Sequence, residues 1–150
     1  MVEFKELMCA LSAEAGLDKE PEGDDDSICR FGFQGEAVCF QDVPQLRRLY
    51  ISAKLGALPV EGADAFKTLL LKANYFGRDT GGGTLSLTND EVVHFHTYLD
   101  MVGLESTEDF LSEVNLVLKE LETWRKKIAD FRPEVASGMD RSNFTGFLQV

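Results

Sequence analysis

Alternating apolar and polar residues mark the clearest element of the chain, a strand near residue 50. The apolar set is Leu49, Ile51, Ala53 and Leu55, and the set between them is Arg48, Tyr50, Ser52 and Lys54. Alternation with period two is typical of an antiparallel sheet that is covered on one face and open on the other. The pattern therefore predicts a strand that is buried on one side only.

The remaining apolar positions predict four more strands and three helices. Strand spacing occurs around 29–33, 37–40, 85–87 and 93–99. Helical spacing links Phe4, Leu7, Met8 and Leu11, then Phe66, Leu69, Leu70 and Ala73, and then a stripe from Phe110 to Ile128. The predicted order is helix, three strands, helix, two strands, helix. Because the two element types are segregated, we expect an α+β fold with helices packed on an antiparallel sheet.

Cap and loop residues set the expected limits of these elements. Gly16 can end the first helix as a left-handed cap, and Ser106 or Thr107 can cap the third. The acidic stretch 18–26 is expected to be a solvated loop. Residues 1–131 are expected to form one domain, and 132–150 a loosely held C-terminal tail with Pro133, Gly138 and Gly146.

Composition narrows the choice of partner. The 150 residues fit one domain, and the formal net charge is −11, from 26 acidic and 15 basic residues. Such a surface repels nucleic-acid phosphates and anionic lipid, and it tolerates a basic or neutral polypeptide. Cys9, Cys29 and Cys39 form no CxxC spacing, so a zinc knuckle or redox pair is not indicated. Without a signal peptide or a stretch of transmembrane length, we expect a cytosolic protein.

Candidate chemistry is weak at every position. Gly81–Gly83 is followed by Thr84-Leu85-Ser86 and not by the Lys-Ser/Thr and helix of a phosphate-binding loop, so a strand connection is favoured. His94 and His96 share one sheet face and could begin a metal site, but a third ligand is missing. The alternative is a pair of partly exposed histidines. We therefore predict a binding protein that is not an enzyme and has no cofactor.

Two sets of side chains have open interpretations at this point. The stripe of the first helix is of a kind that usually belongs to a core. The rings at Tyr50, His94, His96 and Tyr98 lie opposite the apolar strand faces, where they suit protein contacts or plain exposure to solvent.

The ordered features resemble the class I type III secretion chaperones, the group typified by the Tir and Yop effector chaperones. The similarity runs from about residue 2 to Ile128. It rests on the apolar first helix ending in Ala15-Gly16-Leu17, the run 49–59 (LYISAKLGALP), the run 69–76 (LLLKANYF), the strand 83–87 and the late aromatic of the Phe110–Trp124 helix.

The resemblance implies a function for the chain. It would be a homodimeric, ATP-independent bacterial cytoplasmic chaperone in virulence, holding an extended N-terminal segment of a secreted effector ready for export. Phe4, Leu7, Met8 and Leu11, with the strand surface at Arg48 and Tyr50, would line the effector groove. Phe66, Leu69, Leu70 and Ala73 would lie at the dimer centre. The alternative is a regulatory or adaptor domain of the same fold that docks a folded partner.

Overall fold

The computed structural model describes residues 2–14, 17 and 26–133. Its helices are α1 (Phe4–Ser12), α2 (Ala63–Ala73) and α3 (Thr107–Asp130). Its strands are β1 (Ile28–Phe33), β2 (Glu36–Val43), β3 (Arg48–Ala57), β4 (Thr84–Leu87) and β5 (Val92–Asp100). Short 3₁₀ turns, which the sequence pattern did not indicate, occupy Pro44–Leu46 and Tyr75–Gly77. The predicted order of helices and strands is confirmed.

The strands form one antiparallel sheet in the order β1-β2-β3-β5-β4. β5 lies between β3 and β4, so the centre of the sheet is built from segments far apart in sequence. On β3 the side chains of Leu49, Ile51, Ala53 and Leu55 are buried and those between them are not. The predicted α+β class and the one-sided burial of this strand are confirmed.

The covered face of the sheet packs against α3, and α1 packs against α3 in turn. Its largest fully buried side chains include Trp124, Phe31, Phe40 and Phe110. The Phe40 ring meets the Phe31 ring edge-on at a centroid separation of 5.6 Å, a favourable geometry for aromatic pairs. The core therefore lies between the sheet and the helices, and α2 adds Phe66, Leu70 and Ala73 to it.

Polar contacts fix α3 at both ends. Ser106 is the N-cap, and its hydroxyl accepts from the Asp109 N–H at 3.1 Å, which satisfies a helix-end donor. Near the other end, Arg125 donates to the carbonyls of Phe33 and Lys54, at 3.1 Å each. Burial lowers the pKa of this guanidinium, although the charge of Glu36 opposes the shift. The N-cap bond stabilises the start of the helix, and the Arg125 bonds tie α3 to β1 and β3.

The glycine triplet is a packed connection to a strand and does not lead into a helix. The buried Thr80 hydroxyl donates to the Gly83 carbonyl at 2.6 Å, and Trp124 Nε1 donates to the Asp79 carbonyl at 3.1 Å. A Cβ on Gly83 would lie 2.3 Å from the Phe95 ring. Glycine is needed at position 83 for close packing, which agrees with the predicted strand connection. A phosphate-binding loop would lead into a helix, whereas strand β4 follows here.

The outer edge of β4 is closed by one side chain from the end of α2. The Asn74 amide accepts from the Leu85 N–H and donates to the Leu85 carbonyl, both at 2.8 Å. These are the backbone groups that a neighbouring strand would otherwise bind. Asn74 therefore blocks strand addition at the middle of β4, a common way to protect a sheet edge.

Three expectations fall wholly or mainly on parts of the chain outside the described residues. They are the cap at Gly16, the acidic loop over 18–25 and the tail from 134 onward.

We expect Asn74→Ala to lower the free energy of unfolding by about 1–3 kcal/mol, because it leaves the Leu85 backbone groups without partners. Chemical denaturation measures the change. Asn115→Ala, at an exposed position of α3, is the matched control. Equal stability of the two variants would contradict the edge-closing role of Asn74.

Candidate functional site

The apolar stripe of α1 faces the interior of this chain. Leu7 and Leu11 are 0% and 1% exposed, and Met8 is also buried. Phe4 is only partly buried and packs against the edge of the core. The core interpretation of the stripe therefore holds for three of its residues, and Phe4 is the one that a partner can reach. The predicted binding role of the stripe stays a prediction.

Beside the first turn of α1 lies an open cavity of about 470 Å³, the α1 cavity. Val2, Phe4 and Met101 provide apolar surface, and Asp42 and Arg47 provide charge. Burial raises the pKa of the Asp42 carboxyl. The sequence pattern did not indicate this cavity, because its walls come from four separate parts of the chain, around residues 2–5, 26, 42–47 and 101.

Arg48 and Tyr50 lie on the open face of the sheet, opposite the α1 stripe. The Arg48 guanidinium stands 3.9 Å above the Tyr98 ring, and the centroids of Tyr50 and Tyr98 are 5.8 Å apart. A hydrogen bond to Tyr50 is the main cause of the raised pKa of Arg48. The three side chains form one partly exposed cationic and aromatic cluster, a composition suited to protein contacts. The structure does not bring this cluster together with Leu7, Met8 and Leu11.

His94 and His96 lie on the same open face. His94 pairs with Lys54 across to β3, and His96 pairs with Ser52. Among the residues that the structure describes, no three His, Cys, Asp or Glu side chains could hold a metal ion together. A lysine beside His94 also disfavours a bound cation by charge repulsion.

Cysteine chemistry has little support in the local environment. Burial, followed by the neighbouring Cys39 and Cys9, raises the pKa of Cys29, which disfavours the reactive thiolate. All three thiols are free.

Within the described ranges, no helix is both long and apolar enough to cross a membrane.

The predicted dimer residues of α2 divide between the interior and the surface. Phe66, Leu70 and Ala73 are buried in this chain, whereas Leu69 is partly exposed. The outer side of α2 and the turn after it expose Leu71, Tyr75 and Phe76, which we call the α2 patch. The interior residues hold the helix, and the α2 patch is the surface available to a partner.

Phe76 has an unusual backbone as well as an exposed ring. Its φ is 52°, in the left-handed region, and its side chain is 85% exposed. This conformation costs a residue with a Cβ about 1–2 kcal/mol. Among the aromatic rings of the described residues, it packs on Tyr75 at a centroid distance of 4.7 Å. Strained residues of this kind cluster at binding and switch sites.

The fold and these surfaces agree with a family assignment. The model of the Tir chaperone protein (CesT) family matches residues 6–125, which is more than half of the 150-residue chain. The chain therefore belongs to that family, and the predicted resemblance is confirmed. No curated protein matches the sequence.

Solved structures with a similar fold include three protein complexes. A chain of the ExsC–ExsE complex has a TM-score of 0.57 at 17% identity, covering 69% of this chain and 78% of that one. A chain of the ExoU–SpcU complex, from the type III secretion system of Pseudomonas aeruginosa, has 0.52 at 12%, covering 73% and 86%. A chain of the HopA1–SchA chaperone–effector complex has 0.53 at 18%, covering 84% and 99%. At these identities the similarity concerns the fold.

We expect Leu7→Ala to destabilise the protein by about 2–5 kcal/mol, as other large-to-small changes in a core do. Cys9→Ala, on the exposed side of the same helix, should have little effect on stability. Thermal and urea unfolding provide the measurement. If Leu7→Ala retains full stability, this residue is not part of the core.

Proposed function

We propose that the protein is a type III secretion chaperone that binds an extended N-terminal segment of an effector and keeps it ready for export. The family match over residues 6–125 carries this proposal. It is supported by similar folds in complexes described as chaperone–effector or type III secretion assemblies. We propose binding without catalysis, in the bacterial cytoplasm.

The α1 cavity is the proposed entry point of the effector segment. Phe4 and Met101 offer apolar contact, while Leu7, Met8 and Leu11 hold α1 on the core and so position Phe4. The outer side of β1, the first strand of the sheet, has no strand beside it among the described residues. An extended segment can add main-chain hydrogen bonds there, which is a recurring mode of peptide recognition.

The open face of the sheet is the proposed continuation of this surface. Arg47 lines the α1 cavity, and the next residue, Arg48, stacks on Tyr98 beside Tyr50. A segment that passes Arg47 therefore reaches the cluster of Arg48, Tyr50 and Tyr98. In this proposal Phe4, Arg48 and Tyr50 contact the segment, whereas the buried Leu7, Met8 and Leu11 act only by supporting α1.

The binding energy needs no nucleotide. Each Å² of apolar surface that the effector buries contributes about 25 cal/mol, and ordering the disordered segment opposes this by roughly 2–5 kcal/mol. Binding of a few apolar side chains can offset that cost without hydrolysis. The mechanism we propose is accordingly ATP-independent.

A homodimer is the proposed assembly. The α2 patch exposes Leu71 and Phe76 by 73% and 85%, and Leu69 on the same helix is 38% exposed. Exposed apolar side chains grouped in this way are typical of a protein–protein interface. A second copy would cover the strained Phe76 ring, while Phe66, Leu70 and Ala73 support the helix from within. Two copies present two effector surfaces, which raises the effective concentration for the second contact.

To test effector binding, each secreted protein encoded beside the gene is co-expressed with the chain and purified without nucleotide. We expect one to copurify, and we expect Phe4→Glu to weaken its binding about tenfold or more through loss of apolar contact and added charge. Arg48→Glu tests the open face in the same assay. Cys9→Ser is the control on α1.

Limited proteolysis of the purified complex distinguishes the proposed function from an adaptor role. A chaperone protects a stretch of a disordered segment, so a short effector fragment should survive digestion. Survival of an intact folded effector domain as the bound species would contradict the proposal.

We expect Leu71→Glu combined with Phe76→Glu to give a monomer, because four buried carboxylates would face one another across a symmetric interface. Light scattering after size exclusion gives the mass. Val60→Glu is the control, since Val60 is 97% exposed and outside the α2 patch. A monomeric wild-type protein, or a dimer that persists in the double variant, would contradict this interface.

A further inference from the structure

Strand β5 is longer than its neighbour β4. β4 pairs with β5 only as far as Thr84, which lies opposite His96. On its other side, β5 pairs with β3 up to Asp100. The stretch Thr97–Asp100 therefore has a strand on one side only, among the residues that the structure describes.

The hydrogen-bond alternation shows which backbone groups point to the unpaired side. The Thr88 N–H donates to the Val92 carbonyl across the β4–β5 pair at 2.9 Å. In an antiparallel pair, every second residue directs both its N–H and its C=O to the same neighbour. Even-numbered residues of β5 thus face β4, and Tyr98 and Asp100 are the even-numbered residues beyond its end. Their backbone groups point away from β3.

The space next to these groups is a groove of about 690 Å³, the β5 groove. One wall is the unpaired edge of β5, and the other is α3 with Leu116 and Val117. Leu116 is 57% exposed, although it is a large apolar side chain. Gly82 and Leu104 also line the groove. The shape suits a short extended segment that continues the line of β4.

The two edges on this side of the sheet differ in availability. At β4, Asn74 occupies both backbone groups of Leu85. At β5, the Asp100 carbonyl accepts from the Gly103 N–H at 3.2 Å, but no comparable side chain covers Tyr98 within the described ranges. Each residue of a strand adds about 3.3 Å to its length, so the four residues Thr97–Asp100 offer roughly 10–13 Å of strand. This length allows two or three residues of a partner to pair.

The charges along the groove indicate the chemistry of its occupant. Its lining includes the carboxylates of Asp100, Glu113 and Glu120 and the single ammonium of Lys119. Because the carboxylates outnumber the ammonium, an occupant with lysine or arginine side chains would be attracted electrostatically. A second copy of a chain with net charge −11 would bring more acidic surface to it. Charge complementarity thus favours a basic segment over self-association.

We infer that the β5 groove binds a basic, extended segment of the effector by strand addition, through both backbone groups of Tyr98 and the N–H of Asp100. Apolar side chains of the segment lie against Leu116, and lysine or arginine side chains lie near Glu113 and Glu120. The identity of the occupant rests on the proposed function. The groove itself is a second contact for the effector, separate from the α1 cavity.

A blocked eight-residue peptide that alternates valine and lysine is the probe. Amide hydrogen exchange, resolved by NMR, should slow about tenfold or more at Tyr98 and Asp100 when the peptide binds, since new hydrogen bonds protect these amides. Calorimetry should show affinity falling about tenfold for Glu113→Lys and for Leu116→Lys. Glu122→Lys, an exposed charge reversal on α3 outside the groove, should bind as the wild type does.

Three results would overturn the inference. The first is unchanged exchange at both amides in the peptide-bound protein, and the second is equal binding of a peptide with glutamate in place of lysine. The third is protection of both amides without peptide that disappears in the variant Leu71→Glu with Phe76→Glu, which would identify a second copy as the occupant.

The same exchange measurement on the copurified effector complex separates the groove from the proposed function. If the effector copurifies but leaves both amides unprotected, the groove assignment is wrong and the chaperone function stands. If no effector copurifies while the valine–lysine peptide still protects the amides, the groove binds a basic strand and the proposed function is wrong.

Discussion

The packing of α3 across one face of the sheet is the interaction on which the rest of the structure depends. Trp124 enters the core from α3 and ties the glycine turn through its indole N–H, 3.1 Å from the Asp79 carbonyl. Arg125, on the same helix, donates hydrogen bonds to the carbonyls of Phe33 at the end of β1 and Lys54 in β3. Because α1 packs on α3, its stripe is also held on this face. Covering one face in this way leaves the opposite face of the sheet open to partners.

The edges of the sheet decide where an extended polypeptide can add. Asn74 closes β4 at Leu85, and the short length of β4 leaves Tyr98 and Asp100 of β5 beyond it. Open strand edges can pair with other polypeptides without discrimination. Charged side chains beside the open edge of β5 restrict which segments can bind there. The carboxylates near the β5 groove favour basic segments, whereas the cluster at Arg48 favours acidic or aromatic contacts. In the proposed complex, different parts of one effector segment would thus be distinguished by charge.

The acidity of the chain has a physical role beside exposed apolar surface. The α2 patch and the α1 cavity expose apolar side chains that would promote aggregation in a neutral protein. A net charge of −11 keeps separate molecules apart through long-range repulsion, while short-range apolar contacts can still form where surfaces are complementary. Phe76 is an example of such an apolar contact. Burial of its ring by a partner would offset the conformational free energy of its left-handed backbone.

The sequence by itself determined the helices, the strands, their order and the covered side of β3, because periods of 2 and 3.6 residues are local properties of the chain. Only the tertiary structure decided that Leu7, Met8 and Leu11 lie in the core while Phe4 remains accessible, since an apolar stripe has the same spacing in either role. It also decided that β5 lies between β3 and β4, and with it both the Asn74 closure and the β5 groove. Such features depend on contacts between distant residues, such as Trp124 with Asp79, 45 positions apart, which no local pattern encodes.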